Sequence, residues 1–232
     1  MKLFFLDYNK EGPGVQKNAH PKEGLDLFFD IFAREFTSLI KLNLLFIFSC
    51  IPIITIGPAI GAMTSVTIRM VEDKPSDLVY DFKEAFKKNW KSSFLSGMLA
   101  LVIIFILWWS IAFCMSSEGV IFNIIISVLL VIMVIVGISY IYIYPMIVKI
   151  DLPLNIILKN AFLLGISRIK HSFPTFLLCS ALLEGSILFF PFTLPIILLF
   201  IFSFISFISS FCAWVGIRKY IIKDDDVSNY KD

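Results

Sequence analysis

Long uncharged apolar runs, separated by short charged segments, dominate this chain. Residues 42–68, 92–117 and 119–148 contain no charged side chain, and each run meets or exceeds the roughly 20 residues that a helix needs to cross hydrocarbon. Residues 172–217 contain one charge, Glu184, and are long enough for two further helices. None of these runs alternates like a barrel strand, so we expect all of them to be helical.

The positions of the basic residues predict how the runs are arranged. All 20 Lys and Arg residues fall in the blocks 2–41, 69–91, 149–170 and 218–231. Segments 116–119 and 191–195 contain none. Positively charged loops are retained in the cytoplasm, so we expect the four blocks inside and the two short turns outside. The chain must then leave and return between Lys41 and Arg69, with its turn at Gly57-Pro58.

These rules predict an all-α, polytopic transmembrane helical bundle of about six spans. The spans are expected near 36–56, 58–74, 93–115, 120–146, 173–190 and 195–215. Pro145, Pro174, Pro191 and Pro195 are expected to mark helix starts and ends. The helix at 58–74 is short for a span and is expected to end with Arg69 and Lys74 reaching the inner headgroups. A five-span version with the N-terminus outside is the alternative.

A polar and aromatic stretch precedes each pair of spans, at 27–45, 80–99 and 156–178. We call these stretches the elbow segments. At the second one, Val79, Phe82 and Phe86 recur at helical spacing with lysines on the other side, which is the pattern of an amphipathic helix in the membrane interface. The chain is therefore predicted to form three hairpins, each preceded by an interfacial amphipathic helix. The elbow segments either dock another protein or only anchor the bundle.

Composition agrees with a membrane location. Hydrophobic residues make up 58% of the chain and charged residues 16%, and the mean hydropathy is +0.88, which leaves too little polar surface for a soluble domain. We expect a multi-pass protein of the cell membrane with both termini in the cytoplasm. The predicted parts are a cytoplasmic N-terminal segment with the first interfacial helix (1–35), a transmembrane domain (36–215) and a cytoplasmic tail (216–232).

Glu184 is the one ionisable residue deep within a predicted span. Removing a lone carboxylate from water is costly, so a functional role is the first hypothesis for such a residue. Glu184 also lies close to the outer end of its span, where it can face water or bond to neighbouring hydroxyl groups. On the last span, Ser203, Ser206, Ser209 and Ser210 either pack against other helices or line a polar path.

Sequence signatures of enzymes are absent from the chain. It contains no GxSxG, HExxH or GxxxxGK[ST] motif, and its four cysteines have no spacing that would make a zinc site. We therefore expect no enzymatic activity and no metal or cofactor site. No nucleic-acid partner is expected either.

The stretch IPIITIGPAIGAMTSVTIRMVEDK (51–74), followed by DFKEAFKKNWKSS (81–93), resembles the YesL family of bacterial integral membrane proteins. The positions that match the family's pattern are Pro52, Thr55, Gly57, Pro58, Asp81, Phe82, Phe86 and Lys87. Residues 4–19 are also similar to the family's opening. The C-terminal half of the chain matches the family mainly in hydropathy.

The resemblance implies a biological context rather than a reaction. The family has no established activity and no assigned catalytic residues, but its members are commonly encoded beside ABC importers for oligosaccharides. We therefore expect a non-catalytic accessory subunit that contacts membrane lipid and importer permease subunits through its elbow segments and its family-pattern positions. A small independent transporter or channel, with Glu184 lining its path, is the alternative. An intramembrane enzyme is the third hypothesis.

Overall fold

A computed structural model describes residues 24–220, and within this range the protein is built from helices and contains no strand. The helices are α1 (Leu25–Ser49), α2 (Ile56–Val71), α3 (Leu78–Lys88), α4 (Trp90–Met115), α5 (Val120–Lys149), α6 (Leu154–Ser167), α7 (Ile169–Leu188) and α8 (Leu194–Tyr220). A 3-10 turn over Ile53–Thr55 joins α1 to α2, and α8 contains a wider π turn over Ile197–Ile201. The sequence predictions for 1–23 and 221–232 lie outside the described residues.

Five helical segments are long and apolar enough to cross a membrane. They are Ile53–Val71, Trp90–Met115, Val120–Lys149, Ile169–Leu188 and Leu194–Tyr220. Helix α1 has 25 residues but carries five charged side chains, including Arg34, Glu35 and Lys41. The predicted all-α polytopic bundle is confirmed, and the protein has the build of a multi-pass membrane protein. The orientation of its termini stays a prediction.

The helices form three hairpins arranged around a three-helix centre. Helices α2, α5 and α8 contact one another pairwise and form the centre. Each outer helix then fits between two central ones, with α4 against α2 and α5, α7 against α5 and α8, and α1 against α8 and α2. The predicted plan of three hairpins therefore appears as a pseudo-threefold arrangement, in which the second helix of every hairpin is central.

Two of the three elbow segments begin in short separate helices and end in the next long helix. Helix α3 packs on α2 and helix α6 packs on α5, and short breaks at Asn89 and Arg168 separate them from α4 and α7. The first elbow segment instead lies wholly within α1, which continues without a break to Ser49. Its Phe28 and Phe32 pack on Phe207 of α8, with ring centroids 5.1 and 6.4 Å apart.

Small residues allow α2 and α4 to cross closely. A Cβ placed on Gly57 would lie 2.6 Å from the Ser93 carbonyl oxygen, and a Cβ on Gly97 would lie 3.0 Å from the Gly57 Cα. Gly61 faces the Ser93 side chain in the same way. Close backbone approach through small residues is a common way for helices to associate in membranes, where apolar surface alone gives little preference for protein over lipid.

A buried asparagine joins α1 to the irregular start of α8. The Asn43 side-chain amide donates to the carbonyl oxygens of Ile197 (3.0 Å) and Leu198 (2.7 Å), and its oxygen accepts the Ser203 N–H (2.9 Å). These backbone groups belong to or border the π turn, where the regular helical hydrogen bonds are interrupted. Asn43 therefore supplies partners that the helix itself does not supply.

The proline positions were only partly informative about helix ends. Pro195 lies in the first turn of α8, as expected, and Pro191 lies in the preceding turn. Pro145 and Pro174, in contrast, lie inside α5 and α7, so the prediction that they mark helix ends was wrong. Membrane helices tolerate internal proline because neighbouring groups can satisfy the freed carbonyl.

Candidate functional site at the charged end of the bundle

The turn from α2 to α3 is held by a buried carboxylate. Arg69 Nη1 lies 2.8 Å from Asp81 Oδ1, and the Ser76 hydroxyl donates to Asp81 Oδ2 at 2.7 Å. The Asp81 side chain is only 5% exposed, whereas that of Arg69 is 37% exposed. A buried carboxylate is stable only when such partners replace its hydration. The contacts therefore fix α3 against the end of α2.

A second ionic group joins the ends of the three central helices. Glu72, at the end of α2, contacts Lys149 Nζ of α5 at 2.5 Å. Lys74 Nζ lies 3.0 Å from the other Glu72 oxygen, outside hydrogen-bonding geometry. The Lys149 ammonium also stands 5.1 Å from the ring centroid of Trp214 on α8. Cation–π and ion-pair contacts together bring α2, α5 and α8 to one point.

The N-terminal half of α1 joins the same charged region. Arg34 Nη2 donates to Asp73 Oδ1 at 2.6 Å, which places this part of α1 beside the α2–α3 turn. Both side chains are largely solvent-exposed, at 46% and 72%, so the pair contributes little stability. The contact does show that Arg34 of α1 and Asp73, just after α2, lie at the same end of the first hairpin.

A polar cavity of about 140 Å³ opens between α2, α3 and α5. Its wall is formed by Ser65, Arg69, Asp81, Glu84, Ala85, Lys88, Asn89, Val148 and Lys149. The cationic and acidic side chains nearly balance, and several of them already contact one another. The cavity has room for water or a small polar group, and its mixed charge favours neither anions nor cations strongly.

The hairpin positions of the family pattern serve packing and turn closure. Gly57 and Pro58 are buried at the start of α2, and Gly57 lies directly against α4. The Thr55 hydroxyl lies 2.5 Å from the carbonyl oxygens of both Ser49 and Pro52. Pro52 itself is exposed. Three of these four positions thus have interior or turn-closing contacts, and Pro52 is the one with a free surface.

The α3 positions of the family pattern divide between an inner and an outer face. Asp81 and Phe82 are buried, and Phe86 is half-buried against Trp90, with ring centroids 5.0 Å apart. Lys87 is exposed. The inner residues attach α3 to the bundle, so any contact with another protein must come from the outer face.

Glu184 and the serines of α8 are not brought together. Glu184 is exposed on the surface of α7. Ser206 and Ser210 are buried and lie 3.2 and 2.8 Å from the Thr67 hydroxyl of α2. Ser203 is buried beside Asn43. Ser203, Ser206 and Ser210 therefore contribute to helix packing, as one of the two sequence hypotheses predicted, whereas the half-buried Ser209 bonds to the Ser206 carbonyl of its own helix.

Sequence reasoning missed the partners that organise this end of the bundle. These partners, Glu72, Lys149 and Trp214, are far apart along the chain. The sequence shows only that each lies near the end of an apolar run, which does not indicate that they contact one another. Asn43 offered a clearer signal, because it is an amide inside an otherwise apolar stretch. Across residues 24–220, no three His, Cys, Asp or Glu side chains are grouped so that they could hold a metal ion.

Comparison with known proteins gives one family-level similarity. A family model described as "Protein of unknown function, DUF624" matches residues 39–111, from the middle of α1 to the last turns of α4. No curated protein and no solved structure matches the chain. The matched segment contains the crossing of α2 with α4, the Arg69–Asp81 pair and all eight family-pattern positions. Over this segment the chain is similar to a family of unknown function.

Proposed function

We propose that the protein is a non-catalytic accessory subunit that associates with the permease of an oligosaccharide ABC importer. The importer context rests on the resemblance to the YesL family. The observation that carries the contact surface is the attachment of α3, since the buried Asp81 holds this amphipathic helix rigidly at the end of the bundle. A fixed helix loses little entropy on binding, which favours its use as a docking element.

The outer face of α3 has the composition of a protein contact. Val79 and Tyr80 are 47% and 65% exposed, and the neighbouring Lys83 and Lys87 are also exposed. Val79 therefore lies on the lysine side of α3 and not, as the sequence pattern predicted, on the face of Phe82. Tyrosine is enriched at interface centres because it combines apolar area with a hydrogen-bonding hydroxyl. We call these four residues the α3 outer face and assign the permease contact to it.

The alternative, an independent transporter that uses Glu184, has weaker support. Its two candidate features lie apart, with Glu184 on the outer surface of α7 and the α8 serines engaged in the packed centre. Helices α2, α5 and α8 also pack against one another at the centre of the bundle. A transport path would need to form elsewhere or after a large rearrangement.

Purification of the tagged protein from its native membrane, followed by mass spectrometry, tests the proposal. We expect permease subunits in near-stoichiometric amounts and their loss from Tyr80→Glu and Lys87→Glu variants. Lys170→Glu makes the same charge change at an exposed site at the start of α7 and should keep the partners. Phe82→Asp is unsuitable because Phe82 is only 2% exposed, so this change would disrupt folding. Recovery of the protein alone would contradict the proposal.

A further inference from the structure

Helix α4 provides a depth scale for the membrane. Lys91 lies in its first turn, and no charged residue follows until Glu118. The segment between them is apolar and mostly exposed to the surroundings, so it must lie in hydrocarbon, whose thickness is about 30 Å. Lys91 therefore stands near one boundary of the apolar layer and the turn after Met115 near the other.

The start of α2 lies near the charged end of this scale. Gly57 touches Gly97, which is about 9 Å from Lys91 along the α4 axis at 1.5 Å per residue. About 27 Å of α4 then continues beyond Gly97 to Met115. The turn between α1 and α2 is therefore far from the end of the bundle that the α4–α5 hairpin reaches.

Helix α1 gives an independent measure of the same depth. The Arg34–Asp73 contact places α1 next to the residues that follow α2, at the charged end of the bundle. From Arg34 to Ser49, α1 rises only about 22 Å, and from the exposed Lys41 to Ser49 only about 12 Å. Both lengths are shorter than the apolar layer, so a hairpin that begins at the charged boundary ends inside hydrocarbon.

The tip of this hairpin is apolar and unusually exposed. Phe48, Ile51, Ile53 and Ile54 have exposed fractions of 69%, 73%, 79% and 61%. We call these four residues the hairpin tip. Leaving four such large apolar side chains in water would carry a free-energy cost, because apolar surface is more stable away from water. Lipid acyl chains around the hairpin tip remove that cost.

The backbone of the turn is largely closed on itself. The Thr55 hydroxyl shares its proton between the Ser49 and Pro52 carbonyl oxygens, each 2.5 Å away. The Cys50 N–H bonds to the Phe46 carbonyl at 3.0 Å, and the Thr55 N–H bonds to the Pro52 carbonyl at 2.9 Å. Pro52 has no N–H to satisfy. Such closure suits a turn in hydrocarbon, where unpaired backbone groups are very costly.

We propose that α1 and α2 form a re-entrant hairpin whose tip is an interaction surface for lipid acyl chains inside the bilayer. The hairpin enters and leaves at the charged side and does not reach the opposite surface. Four helices, α4, α5, α7 and α8, then span the full membrane. This arrangement keeps Lys41 and Arg69 on the same side of the membrane, as the charge pattern requires. It does not require the short α2 to span the membrane.

Site-directed labelling tests the depth of the tip. The four native cysteines, Cys50, Cys114, Cys179 and Cys212, are free and are first replaced by serine or alanine. Ile53→Cys then reports the tip, Ser117→Cys the α4–α5 turn and Lys74→Cys the charged end. Ile51→Cys is a second tip probe in case Ile53→Cys fails to fold, and gel filtration checks each variant.

The proposal predicts loss of labelling at the tip alone. In membranes opened to both sides, a membrane-impermeant maleimide should label Ser117→Cys and Lys74→Cys but neither tip probe. In a second measurement, nitroxide spin labels attached to the tip cysteines should be accessible to oxygen, which dissolves in hydrocarbon, and not to a water-soluble nickel chelate. Labelling of both tip probes by the same impermeant maleimide would overturn it. So would water exposure at the tip in reconstituted vesicles. Protection of the tip probes from oxygen as well would indicate a protein partner instead of lipid and would also contradict the proposal.

Discussion

Gly57 and Gly97 lie back to back where α2 crosses α4, so close that a Cβ on Gly97 would stand 3.0 Å from the Gly57 Cα. The crossing brings the start of the second helix against the early part of the fourth. It fixes both the packing of the first two hairpins and the depth of the α1–α2 turn.

Gly57→Ala is expected to destabilise the bundle by about 1–3 kcal/mol, because the new methyl group would meet the Ser93 carbonyl at 2.6 Å. Gly185→Ala is the matched control. It makes the same change in α7, where a Cβ would meet nothing within 4 Å. Thermal unfolding in detergent micelles, followed by circular dichroism, measures both. Equal melting temperatures for the two variants would show that the crossing is looser than described.

Asp81→Asn is expected to lower stability by about 1–3 kcal/mol, since it leaves Arg69 without its carboxylate partner while the side chain stays buried. Glu84→Gln removes a charge from an exposed position of the same helix and should have little effect. The same unfolding assay compares them. An equal loss of stability in Glu84→Gln would show that the net charge of α3, and not the buried ion pair, causes the effect.

Asn43→Leu is expected to destabilise the protein by about 2–4 kcal/mol, because three backbone groups at the start of α8 lose their partner. Asn123→Leu changes an exposed asparagine near the start of α5 and serves as the control. Hydrogen exchange of the amides of residues 197–203 should increase in the Asn43 variant. Unchanged protection of these amides would contradict the assigned role of Asn43.

Glu184→Gln is expected to leave both the melting temperature and the recovery of partner proteins unchanged. Glu184 is exposed on α7, and the proposed permease contact lies on α3. The change is compared with Lys87→Glu in the same purification. Loss of solute uptake with all complexes intact would instead favour the transporter hypothesis.

The broad architecture could be predicted from the sequence because it depends on long uncharged runs. A run such as 119–148 has no stable state in a membrane other than a helix, and the short polar segment 116–119, which contains no Lys or Arg, locates a turn. The continuous first helix was not predicted, because charges from Asp26 to Lys41 resemble those of a separate amphipathic helix. Packing against α8 through Phe28 and Phe32 keeps that stretch in one helix with the apolar half.

The contacts of the site could be predicted only in part. Asp81 was identified as a notable position, but its partner Arg69 depends on the direction in which α3 returns after the turn. Phe82 has the same residue type as many exposed phenylalanines, and only its placement against α2 buries it. The depth of the α1–α2 turn likewise follows from the contact between Gly57 and Gly97, which no local pattern encodes.

Photo-crosslinking in living cells tests the accessory role most directly. A photoreactive residue replaces Tyr80 on the α3 outer face in one variant and Trp109, on the exposed surface of α4, in the other. The proposal predicts that the Tyr80 variant forms an adduct containing an ABC importer permease subunit and that the Trp109 variant does not. Absence of such an adduct at Tyr80, or adducts only with a second copy of the chain, would contradict the proposed function.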